Sequence, residues 1–183
     1  MTKDNADIVT VASRVVYENR WMRVREDNIQ RSDGSPGIYG VIEKPDFVII
    51  LPVQDGIVHL VEQFRYPIKR RLWELPQGSW QGIPNADPED LARGELEEET
   101  GLIAGRIHAI GELYPLYGMV TQKGRVFFAT ELQSGKRRPD PEEQDLVTQA
   151  FELSAVEAMI LNGEIQDAGT VAAIGLARLR KLI

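Results

Sequence analysis

The stretch DPEDLARGELEEETGL, residues 87–102, predicts a helix with defined ends. Asp87 offers a side-chain acceptor at the N-cap, and Pro88 stands at the first helical position, where a backbone N–H is not needed. Gly101 can adopt the left-handed conformation with which many helices end. We therefore expect a helix that begins after Asp87 and ends at Gly101.

The charge of this stretch indicates its chemistry. Residues 87–100 contain seven acidic residues and one basic residue, so they carry six of the seven excess negative charges of the chain. On a helix, Glu95, Glu98 and Glu99 project from one face, and the last turn disfavours anions because the helix dipole is negative there. A solvated acidic face is one explanation. A bound divalent cation is the other, because Mg²⁺ prefers carboxylate oxygens.

The composition bounds the class of protein. With 183 residues, of which 43% are apolar and 27% charged, the chain fits one globular module. It has no cysteine and two histidines, which excludes Cys-ligated zinc and His-rich sites, so any metal must be held by oxygen. The net charge of −7 argues against nucleic-acid partners. The longest apolar run, residues 47–53, is too short to span a membrane, and the N-terminus lacks an export signal, so we expect a cytoplasmic protein.

The remaining pattern predicts strands around this helix. Alternating and β-branched stretches at 12–20 and 22–31, followed by a turn, predict a small antiparallel β unit at the N-terminus. Asp55-Gly56 between two apolar runs predicts a hairpin. Further strands are expected near 107–113, 124–130 and 147–151.

Two more helices are expected near the C-terminus. Ser154 with Glu157 matches a capping box, which opens a helix that stops at Gly163, and a final helix runs from about 169 to 182. Strands that alternate with three helices predict a mixed α/β fold.

Leu75-Pro76-Gln77-Gly78 followed by ELEEETGL at residues 95–102 resembles the Nudix box, the strand-loop-helix signature of hydrolases that cleave nucleoside diphosphates linked to another group. The second half of the box matches in residue type and spacing. The first half departs, since the intervening loop is two residues longer, Ala86 replaces the first Glu, and Gly94 replaces the Arg that braces the loop and the glutamates in the family.

This resemblance implies an α/β/α sandwich over residues 44–183, with the N-terminal β unit over 1–43. It also implies Mg²⁺, with Mn²⁺ as an alternative, held by the Gln77 backbone carbonyl and three glutamates. The implied metal ligands are Gln77, Glu95, Glu98 and Glu99, and the implied catalytic residues are Glu98 and an acid of the 142–145 loop, Glu143 or Glu142.

The segments VEQFRYP at 61–67 and WELPQG at 73–78 resemble the ADP-ribose pyrophosphatase branch of that family. The branch implies that Arg65 contacts the terminal phosphoribose, although a surface arginine on an edge strand is the alternative. Glu74 would support the metal or the box helix, or would form a cross-strand salt bridge.

The same branch has an N-terminal β unit that exchanges across a homodimer and clamps the base with an aromatic ring. Trp21 and Tyr17 are placed to do this, and Tyr114 to line the substrate cleft, with plain packing as the alternative for all three. The resemblance thus implies a dimeric enzyme with a small nucleoside diphosphate substrate, while the net charge and the short apolar runs argue against nucleic-acid and membrane partners.

The implied reaction is hydrolysis of the diphosphate of ADP-ribose, or of a related nucleoside diphosphate sugar, to a nucleoside monophosphate and a sugar phosphate. A GDP-sugar or dinucleoside polyphosphate hydrolase is the alternative among enzymes. A non-catalytic Nudix-like nucleotide sensor is the alternative from another class, favoured by Ala86 and Gly94 and opposed by the intact Glu95, Glu98 and Glu99 set.

Overall fold

The computed structural model describes residues 7–79, 87–138 and 145–183. The described residues form ten strands, one 3₁₀ turn at Tyr66–Ile68 and three α-helices. The strands are β1 (Ile8–Glu18), β2 (Arg23–Arg31), β3 (Pro36–Glu43), β4 (Phe47–Gln54), β5 (Ile57–Arg65), β6 (Arg70–Glu74), β7 (Gln77–Gly78), β8 (Leu102–Leu113), β9 (Gly124–Ser134) and β10 (Val147–Glu152). The helices are α1 (Pro88–Thr100), α2 (Leu153–Asn162) and α3 (Ala168–Leu179).

The chain divides into two compact units, one with the residues up to Pro45 and Tyr114–Gln122, the other with Asp46–Leu113 and Lys123–Ile183. The boundary after residue 43 stays a prediction, and Tyr114–Gln122 belongs with the N-terminal unit. The backbone explains this, since Ile42 donates its N–H to the Met119 carbonyl at 2.8 Å.

The N-terminal unit is an antiparallel sheet in the order β1-β2-β3, as the sequence predicts. Its first strand begins at Ile8, four residues earlier than predicted, and its pairing with β2 contains two register shifts. Every residue of β1 is exposed, valines included. This sheet therefore has little core of its own, as expected for a segment of about 40 residues.

The second unit is built on the sheet β10-β5-β4-β9-β8, with β6 beside β5 and β7 beside β4. Strand β4 pairs parallel with β9 and is buried along Val48–Val53. Its alternate side chains serve two cores, because Val48 and Ile50 pack with α1 whereas Ile49 and Leu51 pack with α2 and α3. Helices thus cover both faces, which confirms the α/β/α sandwich.

The predicted elements mostly exist, with differences at their ends. Asp55 and Gly56 adopt φ angles of 53° and 78° in the predicted hairpin turn. The capping box of α2 is wrong, because the N-cap is Glu152 and Glu157 accepts a hydrogen bond from Arg178 at 2.7 Å instead. In the described part of the chain, no helix combines the length and apolar character needed to cross a membrane.

Candidate functional site

Helix α1 has the predicted ends. The Asp87 carboxylate accepts a hydrogen bond from Glu89 N at 2.8 Å, and Gly101 ends the helix at φ 73° while its N–H bonds to the Glu97 carbonyl. The side of α1 that packs on the sheet contains Leu91, Ala92 and Leu96, and also two carboxylates. Glu95 is 7% exposed and Glu99 is 0% exposed.

Strand β7 meets these carboxylates. Gln77 and Gly78 pair with Ile49 and Val48 of β4. The backbone N–H of Gln77 donates to Glu99 Oε2 at 3.2 Å. A Cβ atom on Gly78 would lie 2.4 Å from the Glu95 carboxylate, so only glycine allows this close approach. The two halves of the sequence motif therefore contact each other.

The oxygen atoms at this place suit a hard divalent cation. The side chains of Glu95 and Glu99 in α1 pack against β7, and Glu98 of the same helix is partly exposed. The last turn of this helix contains no basic residue. Among the described residues, however, no three acidic or histidine side chains form a ready-made metal cluster. The donors fit Mg²⁺ by their chemistry, and a Glu98 side chain that remains partly in solvent can still turn toward a cation.

Arg65 and Glu74 form the cross-strand ion pair that the sequence left open. Arg65 Nε donates to Glu74 Oε2 at 3.1 Å, Arg65 Nη2 bonds Oε1, and Gln63 Nε2 donates to Oε1 at 2.8 Å. Glu74 is 2% exposed, and this burial raises the pKa of its carboxyl while Arg65 partly lowers it. Glu74 thus orients Arg65 from inside, and the Arg65 side chain remains 39% exposed.

Thr170 and Asp167 hold the segment before β7 and were not predicted from the sequence. Asp167 caps α3 and accepts hydrogen bonds from Thr170 N at 2.7 Å and Thr170 Oγ1 at 2.8 Å. Thr170 Oγ1 in turn accepts from Leu75 N at 2.9 Å. The one sequence signal was an Asp with a Thr three residues later, which is an N-cap pattern and says nothing about Leu75.

The C-terminus of α1 is tied to the chain on both sides of segment 139–144. Arg137 Nε and Thr148 Oγ1 donate to the Glu99 carbonyl at 2.8 and 3.0 Å. Arg138 N donates to the Glu98 carbonyl at 3.0 Å. The general-base candidates Glu142 and Glu143 themselves lie outside the described residues, as does Ala86.

Arg93 does not replace the arginine missing at Gly94. Its guanidinium donates to the Glu89 carboxylate at 2.9 Å and to the Ala104 carbonyl at 2.8 Å. Arg93 therefore stabilises the start of α1 and not the glutamates of its C-terminal half. Among the described residues, it is the Arg137 guanidinium that bonds to the end of this helix, at the Glu99 carbonyl.

The aromatic candidates lie in the N-terminal unit. Tyr17 and Trp21 are exposed, and the Arg20 guanidinium stacks 4.0 Å from the centre of the Trp21 ring. Tyr114 lines a cavity of about 300 Å³ with Tyr39, Tyr117 and neighbouring residues of the same unit. The structure therefore places these aromatics at a surface, where a flat ligand can reach them.

Comparisons with known proteins agree with this architecture. A NUDIX domain model matches residues 44–173, and a model of the nucleoside diphosphate sugar hydrolase N-terminal domain matches residues 8–42. An ADP-ribose pyrophosphatase of Bacillus subtilis is 28% identical over 95% of this chain and 94% of its own length. A GDP-mannose pyrophosphatase of Yersinia enterocolitica is 31% identical over 70% of each chain.

The fold is also that of a solved protein. A crystal structure of an ADP compounds hydrolase superposes with a TM-score of 0.83 and 19% identity, and the match covers 94% of this chain and 92% of that one. Together with the glutamates of α1 against β7, the match over residues 44–173 shows that the chain belongs to the Nudix family.

Proposed function

We propose that the protein hydrolyses the diphosphate linkage of ADP-ribose, or of a related nucleoside diphosphate sugar, with Mg²⁺ or Mn²⁺. The observation that carries the proposal is the pair of buried carboxylates, Glu95 and Glu99, against Gly78 and Gln77. Carboxylate oxygens held close to a backbone segment are ligands that Mg²⁺ prefers, and a substrate diphosphate binds through the same cation. The products would be a nucleoside monophosphate and a sugar phosphate.

Glu95, Glu98, Glu99 and the Gln77 carbonyl would hold the cation. When bound, it would neutralise the diphosphate and favour ionisation of the attacking water. A carboxylate of the 142–145 loop, Glu143 or Glu142, would accept the proton of that water.

Arg65 would bind the sugar-phosphate end of the substrate. Its bonds to Glu74 use Nε and Nη2, so Nη1 keeps two N–H donors in a fixed orientation. Arg65→Ala should raise KM for ADP-ribose more than it lowers kcat, since this contact is remote from the cleaved bond. An unchanged kcat/KM would remove Arg65 from the site.

The decisive experiment compares nucleoside diphosphate compounds with Mg²⁺ and with Mn²⁺. ADP-ribose, GDP-mannose and a dinucleoside polyphosphate are incubated with the protein, and phosphate monoesters are measured. Fastest release from ADP-ribose supports the proposal, and preference for another compound corrects the substrate. ADP-ribose that binds without turnover supports the alternative of a sensor, which Gly94 in the box favours.

The N-terminal sheet suggests a homodimer. Its exposed apolar side chains on β1, such as Val9, Val11 and Val15, form a surface that a second copy would cover. Trp21→Ala should then weaken substrate binding, and mixing it with Glu99→Gln should restore partial activity through one intact composite site. A fully active monomer in sedimentation at micromolar concentration would contradict this arrangement.

A further inference from the structure

We infer that Thr170 is a positioning residue for the metal site, because its hydroxyl, held by Asp167, fixes the backbone that presents the Gln77 carbonyl. The inference rests on the proposed function, in which this carbonyl is a metal ligand. The side chain of Thr170 is hydrogen-bonded to Asp167 and to Leu75 N. It would act through Leu75.

The direction of each hydrogen bond follows from the chemistry of the groups. A carboxylate accepts only, so the Thr170 hydroxyl must donate its proton to Asp167 Oδ2. Its lone pairs then face Leu75 N, which donates at 2.9 Å. Thr170 and Leu75 are both fully buried, so water cannot replace either partner.

Three consecutive residues are held by three different elements. Leu75 N is bonded to α3 through Thr170, the Pro76 carbonyl accepts from Ile50 N of β4 at 2.9 Å, and Gln77 N donates to Glu99 of α1. Pro76 has no N–H, so Leu75 and Gln77 supply the backbone donors of this segment. Without the Thr170 hydroxyl, the segment keeps its bonds to β4 and α1 but loses its bond to α3.

The consequence concerns metal affinity. The α1 carboxylates would remain in place if Leu75 shifted, whereas the Gln77 carbonyl, two residues along, would move. Groups that orient a ligand are commonly worth 10–100-fold in metal affinity. Loss of the Thr170 hydroxyl should therefore weaken metal binding by about tenfold.

The test compares Thr170→Val, which removes the hydroxyl at nearly constant shape, with Thr170→Ser, which keeps it. Mn²⁺ binding is titrated calorimetrically on the whole protein without substrate, and kcat and KM for ADP-ribose are measured at saturating metal. We expect the Mn²⁺ Kd to rise about tenfold in Thr170→Val and to stay within about threefold in Thr170→Ser. KM for ADP-ribose should change little in either variant.

A matched control separates positioning from stability. Ala172 lies in the same helix but outside the apolar core that contains Leu75, so Ala172→Gly lowers helix stability without removing an atom from that core. Its Tm should fall while its Mn²⁺ affinity stays at the wild-type value. Equal loss of affinity in Ala172→Gly and Thr170→Val would overturn the inference. Unchanged affinity in Thr170→Val, or an affinity of Thr170→Ser as low as that of Thr170→Val, would also overturn it.

Two further outcomes are distinguishable. If Thr170→Val does not fold, Thr170→Cys takes its place, because sulfur is a weak acceptor, and an affinity equal to that of Thr170→Ser would overturn the inference. If the wild type neither binds Mn²⁺ nor hydrolyses a nucleoside diphosphate, the proposed function fails and this inference with it. If the wild type does both and Thr170→Val is unaffected, only the inference fails.

Discussion

Helices α1 and α3 cover opposite faces of the central strand β4, and they differ in what they bury. Both begin at an aspartate N-cap, Asp87 in α1 and Asp167 in α3. The buried residues of α3 are small or apolar, and its last turn contains Arg178, as the helix dipole favours. Helix α1 buries two glutamates and ends in three glutamates without a base.

This difference distinguishes a helix selected for stability from one selected for chemistry. Each carboxylate in the last turn of α1 is disfavoured by about 0.3–1 kcal/mol, and like charges at i, i+4 add about 0.2–0.5 kcal/mol per pair. Nothing comparable opposes α3. The unfavourable placement in α1 is therefore the feature that points to a cation.

The largest expected effect is that of Glu99→Gln in α1. Turnover of ADP-ribose should fall by about a hundredfold or more, the scale of losing a preorganised charge-stabilising group. The apo Tm should stay equal or rise, because one repulsive charge is removed. In α3, by contrast, Thr170→Val should lower Tm, since it leaves the buried Leu75 N–H without its acceptor.

Kinetics and thermal unfolding of both apo proteins check this contrast. Near wild-type turnover in Glu99→Gln would remove Glu99 from the metal site. A large loss of apo stability in that variant would instead assign Glu99 a structural role.

A matched pair of glycines sharpens the comparison. A Cβ on Gly78 would overlap the Glu95 carboxylate, whereas a Cβ on Gly175 in α3 would meet no atom within 4 Å. The clash at Gly78 involves the far end of a flexible side chain. Gly78→Ala should therefore displace Glu95 and weaken Mn²⁺ binding about tenfold, with little change in Tm. Gly175→Ala should leave binding unchanged, and equal binding by the two variants would contradict this prediction.

The two N-caps should differ by a smaller amount. Asp87→Ala should cost about 1 kcal/mol of unfolding free energy, the usual value of an N-cap. Asp167→Ala should cost more, because Asp167 also accepts from the buried Thr170 hydroxyl. Urea denaturation of both variants measures the difference, and a greater loss in Asp87→Ala would show that the hydroxyl bond contributes little.

The smallest expected effect is a pH dependence near α3. Burial raises the pKa of the Glu74 carboxyl above its ordinary value of 4.5, and the nearby charge of Asp167 adds to this. The folded protein then holds a proton that the unfolded chain has released. The stability that Glu74 contributes is thus full below pH 4.5 and declines as the pH rises toward its folded pKa.

Unfolding free energies of wild type and Glu74→Gln, measured from below pH 4.5 upward, should reveal this decline in stability. The wild type should lose stability relative to Glu74→Gln as the pH rises, and Asp167→Asn should reduce that loss. Parallel curves for all three proteins would contradict the raised pKa.

Local signals were predictable from the sequence and distant partners were not. The ends of α1 follow from Asp87, Pro88 and Gly101, whose effects depend on residues a few positions away. The capping box of α2 failed because Glu157 pairs with Arg178, 21 residues along the chain. Likewise, Thr170 has its partner 95 residues away at Leu75.

The site was predictable in part for the same reason. Helical spacing alone places Glu95 and Glu99 together, whereas the Arg65–Glu74 pair depends on the register of β5 against β6, which pairs Val61 with Glu74. Strand register is decided by tertiary packing, so the sequence left that pair open.

The chain between Gly78 and Asp87 is fixed at both of its ends. Gly78 is held by its pairing with Val48, and Asp87 by its bond to Glu89 N. Loop closure between fixed points depends only weakly on length, and two additional residues in a loop of this size cost about 0.2 kcal/mol of chain entropy. The number of residues between these two points can therefore change at little cost in chain entropy, while the carboxylates of α1 stay where they are.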